Sequence, residues 1–156
     1  SGDENRPVFI CDLSCENNAG ALGKMVAATS VSLGRDVGFI DLSRELSEVE
    51  RELTPDIEDA MVKVGNPTGG TEYVYPAGVT NLDFLYSRSV DKIVDSLLDK
   101  HDIVIFAANT DAVEVILASN SIVDPFFAVQ LKPGKTLIKS VQRMLQRGTL
   151  GVAFHA

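Results

Sequence analysis

Val8-Phe9-Ile10-Cys11 is an uninterrupted apolar run and reads as a buried strand. Residues 12–19 are polar and include Asn17-Asn18, residue types that tolerate left-handed backbone angles. From 20 to 33, Leu22, Val26, Thr29 and Leu33 recur at helical spacing, and Gly34 supplies a stop. Val37-Gly38-Phe39-Ile40-Asp41 is a second apolar run that ends in an acid. A strand, a polar loop, a helix and a second strand open a βαβ fold.

Working outward, the alternation continues. Residues 42–64 read as helical with a break at Thr54-Pro55, where Pro55 suits a first helical position and Thr54 its cap. Residues 65–70 form a turn-rich loop, and Tyr73-Val74-Tyr75 is a strand ended by Pro76. An amphipathic helix spans 89–100, with Val90, Ile93, Val94, Leu97 and Leu98 on one side. Ile103-Val104-Ile105-Phe106-Ala107 is the most apolar strand, expected to be central and buried on both faces. A helix over 111–118, a strand over 126–131, a helix over 136–146 with Leu137, Val141 and Met144 inward, and a strand over 150–154 complete the chain. Gly148 stops the last helix. The class is α/β, three-layered, with a mainly parallel central sheet flanked by helices. Residues 7–156 form one domain, and residues 1–6 read as a tail or the remnant of a tag.

Composition narrows the function. The 156 residues carry a formal net charge of −8, which argues against nucleic acid as a partner. Eight acids and two arginines, Arg44 and Arg51, lie between Asp41 and Asp59. That segment is a solvated surface or a docking face for a basic partner. No run approaches the ~18 apolar residues of a membrane span, and no signal peptide is visible. Cys11 and Cys15 lack metal-site spacing, His101 and His155 are far from them in sequence, and no metal site is expected. Few cysteines fit a reducing, cytoplasmic compartment, and Cys11 reads as a core residue.

In a parallel sheet, ligands bind at the carboxyl ends of the strands. After the first strand, a phosphate-binding loop needs glycines, a lysine and a hydroxyl for magnesium. Gly23-Lys24 resembles the end of such a motif, but Met25 stands in the hydroxyl's place and Asn18 in that of the first glycine. A helix starting after Lys24 has under three turns. A helix starting near Asn18 has about four, puts Lys24 on its surface and Ala19 in the lysine's place, and is preferred. In that register Glu16 faces the pocket and repels an anion. The cofactor-binding candidates are therefore Asn18, Ala19, Gly20, Gly23 and Lys24, a degenerate phosphate loop. After the second strand, Asp41 is placed to hold or activate a magnesium-bound water, and is the catalytic candidate if the site is active. After the central strand, a nucleotide hydrolase needs an acid where this chain has Ala107, and Asp111 is four residues beyond.

The order of elements resembles the deviant P-loop ATPases of the MinD/ParA type, and among them the cytoplasmic domain of polysaccharide-export tyrosine kinases of the CpsD/Wzc/ExoP group. Phe39-Ile40-Asp41 resembles the second-strand aspartate motif, and Thr54-Pro55-Asp56-Ile57 a "Pro-Gly-Leu" segment. Tyr75-Pro76-Ala77-Gly78 resembles a "Leu-Pro-Ala-Gly" strand end, and His101-Asp102-Ile103-Val104-Ile105 the approach to the Walker B acid. Gly134-Lys135-Thr136 and Gly151-Val152-Ala153-Phe154 resemble the closing helix start and strand. Ser43 replaces a second acid, His155 a closing asparagine, and the C-terminal tyrosine cluster is absent, since Tyr73, Tyr75 and Tyr86 are internal.

The resemblance implies a catalytically degenerate binding or regulatory module in exopolysaccharide or capsule export. Two alternatives stand: an active but atypical ATPase or tyrosine kinase, and a pilus-assembly partner of the CpaE/TadZ type. No cofactor is expected, and ATP with magnesium belongs to the active alternative. The expected partners are proteins of a membrane export system. The setting is cytoplasmic, with any membrane association through a partner or a fused segment. Lys135, Lys139, Arg143 and Arg147 share one helix face. That face is solvated, or contacts anionic lipid or the acidic 41–59 segment of a second copy.

Overall fold

The computed structural model describes residues 6–14, 18–43, 62–65, 69–75, 90–118, 124–131 and 135–154. Seven strands form one sheet: β1 (Val8–Asp12), β2 (Asp36–Asp41), β3 (Val62–Gly65), β4 (Thr71–Tyr75), β5 (Ile103–Asn109), β6 (Phe126–Leu131) and β7 (Thr149–Phe154). Their order is β3-β4-β2-β5-β1-β6-β7. All neighbours pair in parallel except β3 with β4. The described helices are α1 (Ala19–Ser32), α2 (Val90–Lys100), α3 (Thr110–Ala118) and α4 (Lys135–Arg147).

The apolar 103–107 run sits fourth of seven strands and is buried on both faces, as its lack of alternation requires. One sheet face carries the larger core. Phe9, Phe106 and Phe127 line up across β1, β5 and β6 there, with ring centroids 4.8 and 5.7 Å apart. Val94 and Leu97 of α2, Ala112, Val113, Ile116 and Leu117 of α3, and Met144 of α4 cover them. The other face packs Ile10, Val37, Phe39, Ile105 and Ala107 under Ala19, Ala27 and Val31 of α1.

Two readings change. Residues 62–64 belong to a strand, β3, rather than to a helix. Val62-Lys63-Val64 alternates apolar and polar, and its pairing with the edge of β4 supplies backbone partners that a helix end would lack. Residues 44–61, the rest of that expected helix and most of the acidic segment, lie outside the described residues, as do 76–89. Arg6 is fixed rather than part of a tail: its guanidinium donates to the Asp124 carboxylate at 3.0 Å and to the Asp124 carbonyl at 2.9 Å. Gly34 ends α1 with φ of +84°, a left-handed angle that glycine adopts without strain.

Candidate functional site

The carboxyl edge of the sheet brings Asp41, Ala107, Asn109, Asp12 and Gln130 side by side. Asp41 is level with Ala107, and Asp12 sits between Asn109 and Gln130. Asn109 Oδ1 accepts the amide of Ala112 at 3.3 Å and caps α3.

Helix α1 starts at Ala19 with Asn18 as its cap residue, the register preferred above. Leu13 and Asn18 therefore stand in the two glycine positions of a phosphate loop, Ala19 in that of the lysine and Gly20 in that of the hydroxyl. The loop closes on a residue that sequence reasoning left out. Asp12 is 1% exposed. Its Oδ1 accepts the amide of Ser14 at 2.8 Å and the Ser14 hydroxyl, and its Oδ2 accepts the amide of Asn18 at 2.6 Å. A phosphate loop offers such amides to phosphate oxygens. Here they hold a carboxylate. Cys15, Glu16 and Asn17 lie outside the described residues, so the expectation for Glu16 has no structural counterpart.

The remaining candidates separate. Ala19 is fully buried in the core. Gly23 is buried too, and a Cβ there would lie 2.9 Å from the Phe39 ring and 3.1 Å from the Ala107 Cβ. Gly23 lets α1 approach the sheet, and Ala107 fills the space beneath it, so neither faces a ligand. Gly20, Lys24 and Asp41 do come together. With Ala21, Phe39, Ser43 and Val74 they line an open cavity of about 580 Å3 between α1 and the ends of β2 and β4. Asp41 Oδ1 accepts the Ser43 amide at 2.8 Å and the Ser43 hydroxyl. A Cβ on Gly20 would stand 2.6 Å from Asp41 Oδ2 and 3.0 Å from Ser43 Oγ. A Ser or Thr in Gly20's place would therefore need the end of the Asp41 side chain to shift.

Titration sets limits. Burial pushes the Cys11 thiol far above its ordinary range, so it stays protonated, as a core cysteine does. Burial lowers the His101 pKa below its ordinary value of 6.5, against the nearby charge of Asp36, which acts to raise it. His101 packs against Tyr73 with ring centroids 4.7 Å apart, over Gly38. Among the described residues no group of three His, Cys, Asp or Glu side chains is placed to hold a metal. Among the described residues, a carboxylate sits on loop amides, glycine stands in the hydroxyl's place and Ala107 in that of the acid.

The strand order, the loop after β1 and the helix that follows it define a P-loop-type α/β domain. No family model matches the chain, and no curated protein matches it. Solved structures do. The BceF tyrosine kinase domain is 18% identical with a TM-score of 0.65, over 97% of this chain and 69% of that one. The kinase domain of the Escherichia coli tyrosine kinase ETK is 17% identical with a TM-score of 0.64, over 98% of this chain and 68% of that one. The chimerical protein CapA2B2 is 14% identical with a TM-score of 0.67, over 96% of this chain and 75% of that one. The resemblance to the CpsD/Wzc/ExoP group is therefore one of fold.

Proposed function

We propose that the chain is a catalytically degenerate P-loop domain that serves as a binding and regulatory module in the export of exopolysaccharide or capsule. The polysaccharide context rests on the likeness to tyrosine kinase domains. The loss of chemistry rests on one observation above the others: the Asp12 carboxylate occupies amides that a phosphate would need. A phosphate charge brought within about 4 Å of that carboxylate meets a repulsion on the order of 4 kcal/mol at an effective dielectric of about 20. That is roughly three decades of affinity. Partners are expected to be proteins. No helix among the described residues is long and apolar enough to cross a bilayer. Isothermal titration with ATP, with and without magnesium, tests the reading. No saturable heat at millimolar nucleotide is expected, and saturable, magnesium-dependent binding overturns it.

The cavity supports a second reading, an atypical ATPase or tyrosine kinase, because it joins Lys24 and Asp41 beside Gly20. That reading predicts ATP binding that is lost in Lys24→Ala, and turnover that is lost in Asp41→Ala.

A further inference from the structure

The cavity between α1 and the ends of β2 and β4 holds two oxygen acceptors close together and one side-chain donor apart from them. Asp41 Oδ1 is filled by the Ser43 amide at 2.8 Å and by the Ser43 hydroxyl, whereas Asp41 Oδ2 accepts no hydrogen bond among the described residues. The Ser43 hydroxyl gives its proton to Oδ1 and keeps lone pairs for a further donor. Oδ2 and Ser43 Oγ border the same space beside Gly20, where a Cβ would lie 2.6 Å from one and 3.0 Å from the other. The side-chain donor is Lys24, one turn along α1 from Gly20. It is exposed and forms no ion pair with Asp41.

Charge around the cavity favours a cation. The strand register sets Glu72 of β4 beside Val37, on the sheet face that α1 covers and two residues before Val74. Glu72 Oε1 is buried with no hydrogen-bond partner among the described residues. Lys24 is thus one positive charge against two carboxylates. An anion meets Asp41 here, and the amides of Ser14 and Asn18, which could otherwise hold it, already bind the Asp12 carboxylate. The walls are apolar where Phe39 and Val74 line the cavity. An apolar wall beside a carboxylate suits a methylene chain with a positive tip.

We propose that this cavity binds a primary alkylammonium group, which donates to Asp41 Oδ2 and Ser43 Oγ while its methylenes lie along Phe39 and Val74. Resting on the reading of the chain as a binding module, the site is that module's anchor for a cationic ligand. An ammonium fits better than a guanidinium. The guanidinium fork needs both oxygens of a carboxylate, and Oδ1 already accepts two hydrogen bonds. A lysine side chain of a partner protein and a free aliphatic diamine present the same group. Lys24 separates this ligand from a nucleotide: its charge would attract a phosphate and repels an ammonium.

Amide NMR shifts of the isotope-labelled chain test it, with Nα-acetyl-lysine methylamide and diaminobutane as probes. Nα-acetyl-norleucine methylamide, which has the methylene chain without the charge, is the control. Both amines are expected to give saturable, millimolar shifts at the amides of Gly20, Ser43 and Val74, and the control none. Whichever amine binds more tightly names the source, a partner's lysine or a free amine. Asp41→Asn is expected to weaken binding at least ~10-fold, about 1.4 kcal/mol, with its spectrum away from the cavity unchanged. Lys24→Ala removes the competing positive charge and should tighten binding. Equal shifts with the control overturn the proposal, as does amine binding that is indifferent to Asp41→Asn or weakened by Lys24→Ala. A chain that binds neither amine nor ATP overturns this site and leaves the module reading standing. A chain that binds ATP through Lys24 and neither amine overturns both.

Discussion

Asp12-Leu13-Ser14 and Asp41-Leu42-Ser43 are the same tripeptide at the carboxyl ends of two strands that flank β5. Both aspartates accept the amide of the following serine at 2.8 Å, together with its hydroxyl. Both leucines are buried in the same core. The two carboxylates nevertheless have different fates. Asp12 is enclosed, because Asn18 at the start of α1 donates its amide to the second oxygen. Asp41 opens on a cavity, because Gly20, two residues beyond Asn18, has no side chain to fill the space beside it. A local turn fixes a carboxylate's own hydrogen bonds. What the next element places beside it decides whether it is structural or available.

The sharpest way to break that contrast is to remove each carboxylate. Asp12→Ala strands two amides and a buried hydroxyl and is expected to cost about 3 kcal/mol in urea unfolding. Asp41→Ala, half-exposed, should cost under about 1 kcal/mol. If Asp12 stands in an oxyanion's place, sulfate restores part of the stability of Asp12→Ala and none of that of Asp41→Ala, read as a shift in Tm. Equal costs for the two variants would end the distinction.

The two glycines of α1 give the next effect. Gly23→Val presses on the Phe39 ring and Ala107 and is expected to cost about 1–3 kcal/mol through overpacking. Gly20→Ala meets the movable end of the Asp41 side chain, and the helix gains up to about 1 kcal/mol by losing a glycine. Its net change in chemical denaturation should be smaller than that of Gly23→Val, and a larger one would show Asp41 to be as rigid as Asp12.

The smallest effect lies at the opposite edge of the sheet. His101 has its pKa lowered by burial, so the unfolded chain binds the proton more readily than the folded one. Its contribution to stability is complete above about pH 6.5 and is lost as pH falls below that value. His101→Gln should flatten this part of the stability profile between about pH 7 and 5, measured by urea midpoints. Asp41→Ala should leave it unchanged.

Much of the fold was legible because each signal was local. Gly34 and Gly148 stop helices, the 103–107 run has no polar face, and β6 matches the expected 126–131. The site was half legible. Asp41 was read at one strand end and Gly20 and Lys24 at another, and the three line one cavity. Asp12 was missed, although the repeat of Asp-Leu-Ser at two strand ends was there to be read. The basic row of α4 was legible only as a row. Arg143 pairs with Glu114 at 2.9 Å, and Arg147 donates to the Leu117 carbonyl at 2.9 Å, so two of its members are engaged within the chain by α3.

By itself the sequence determined the alternation of strands and helices, the central place of β5 and the absence of an acid at Ala107, because periodicity and residue type suffice for these. Only the tertiary structure decided which face of α1 is inward. The stripe of Leu22, Val26, Thr29 and Leu33 marks the helix, yet the buried face is Ala19, Gly23, Ala27 and Val31. The reason is distance. α1 lies so close to Phe39 and Ala107 that its central contact admits only a glycine, and Met25, Val26 and Leu33 are left facing outward.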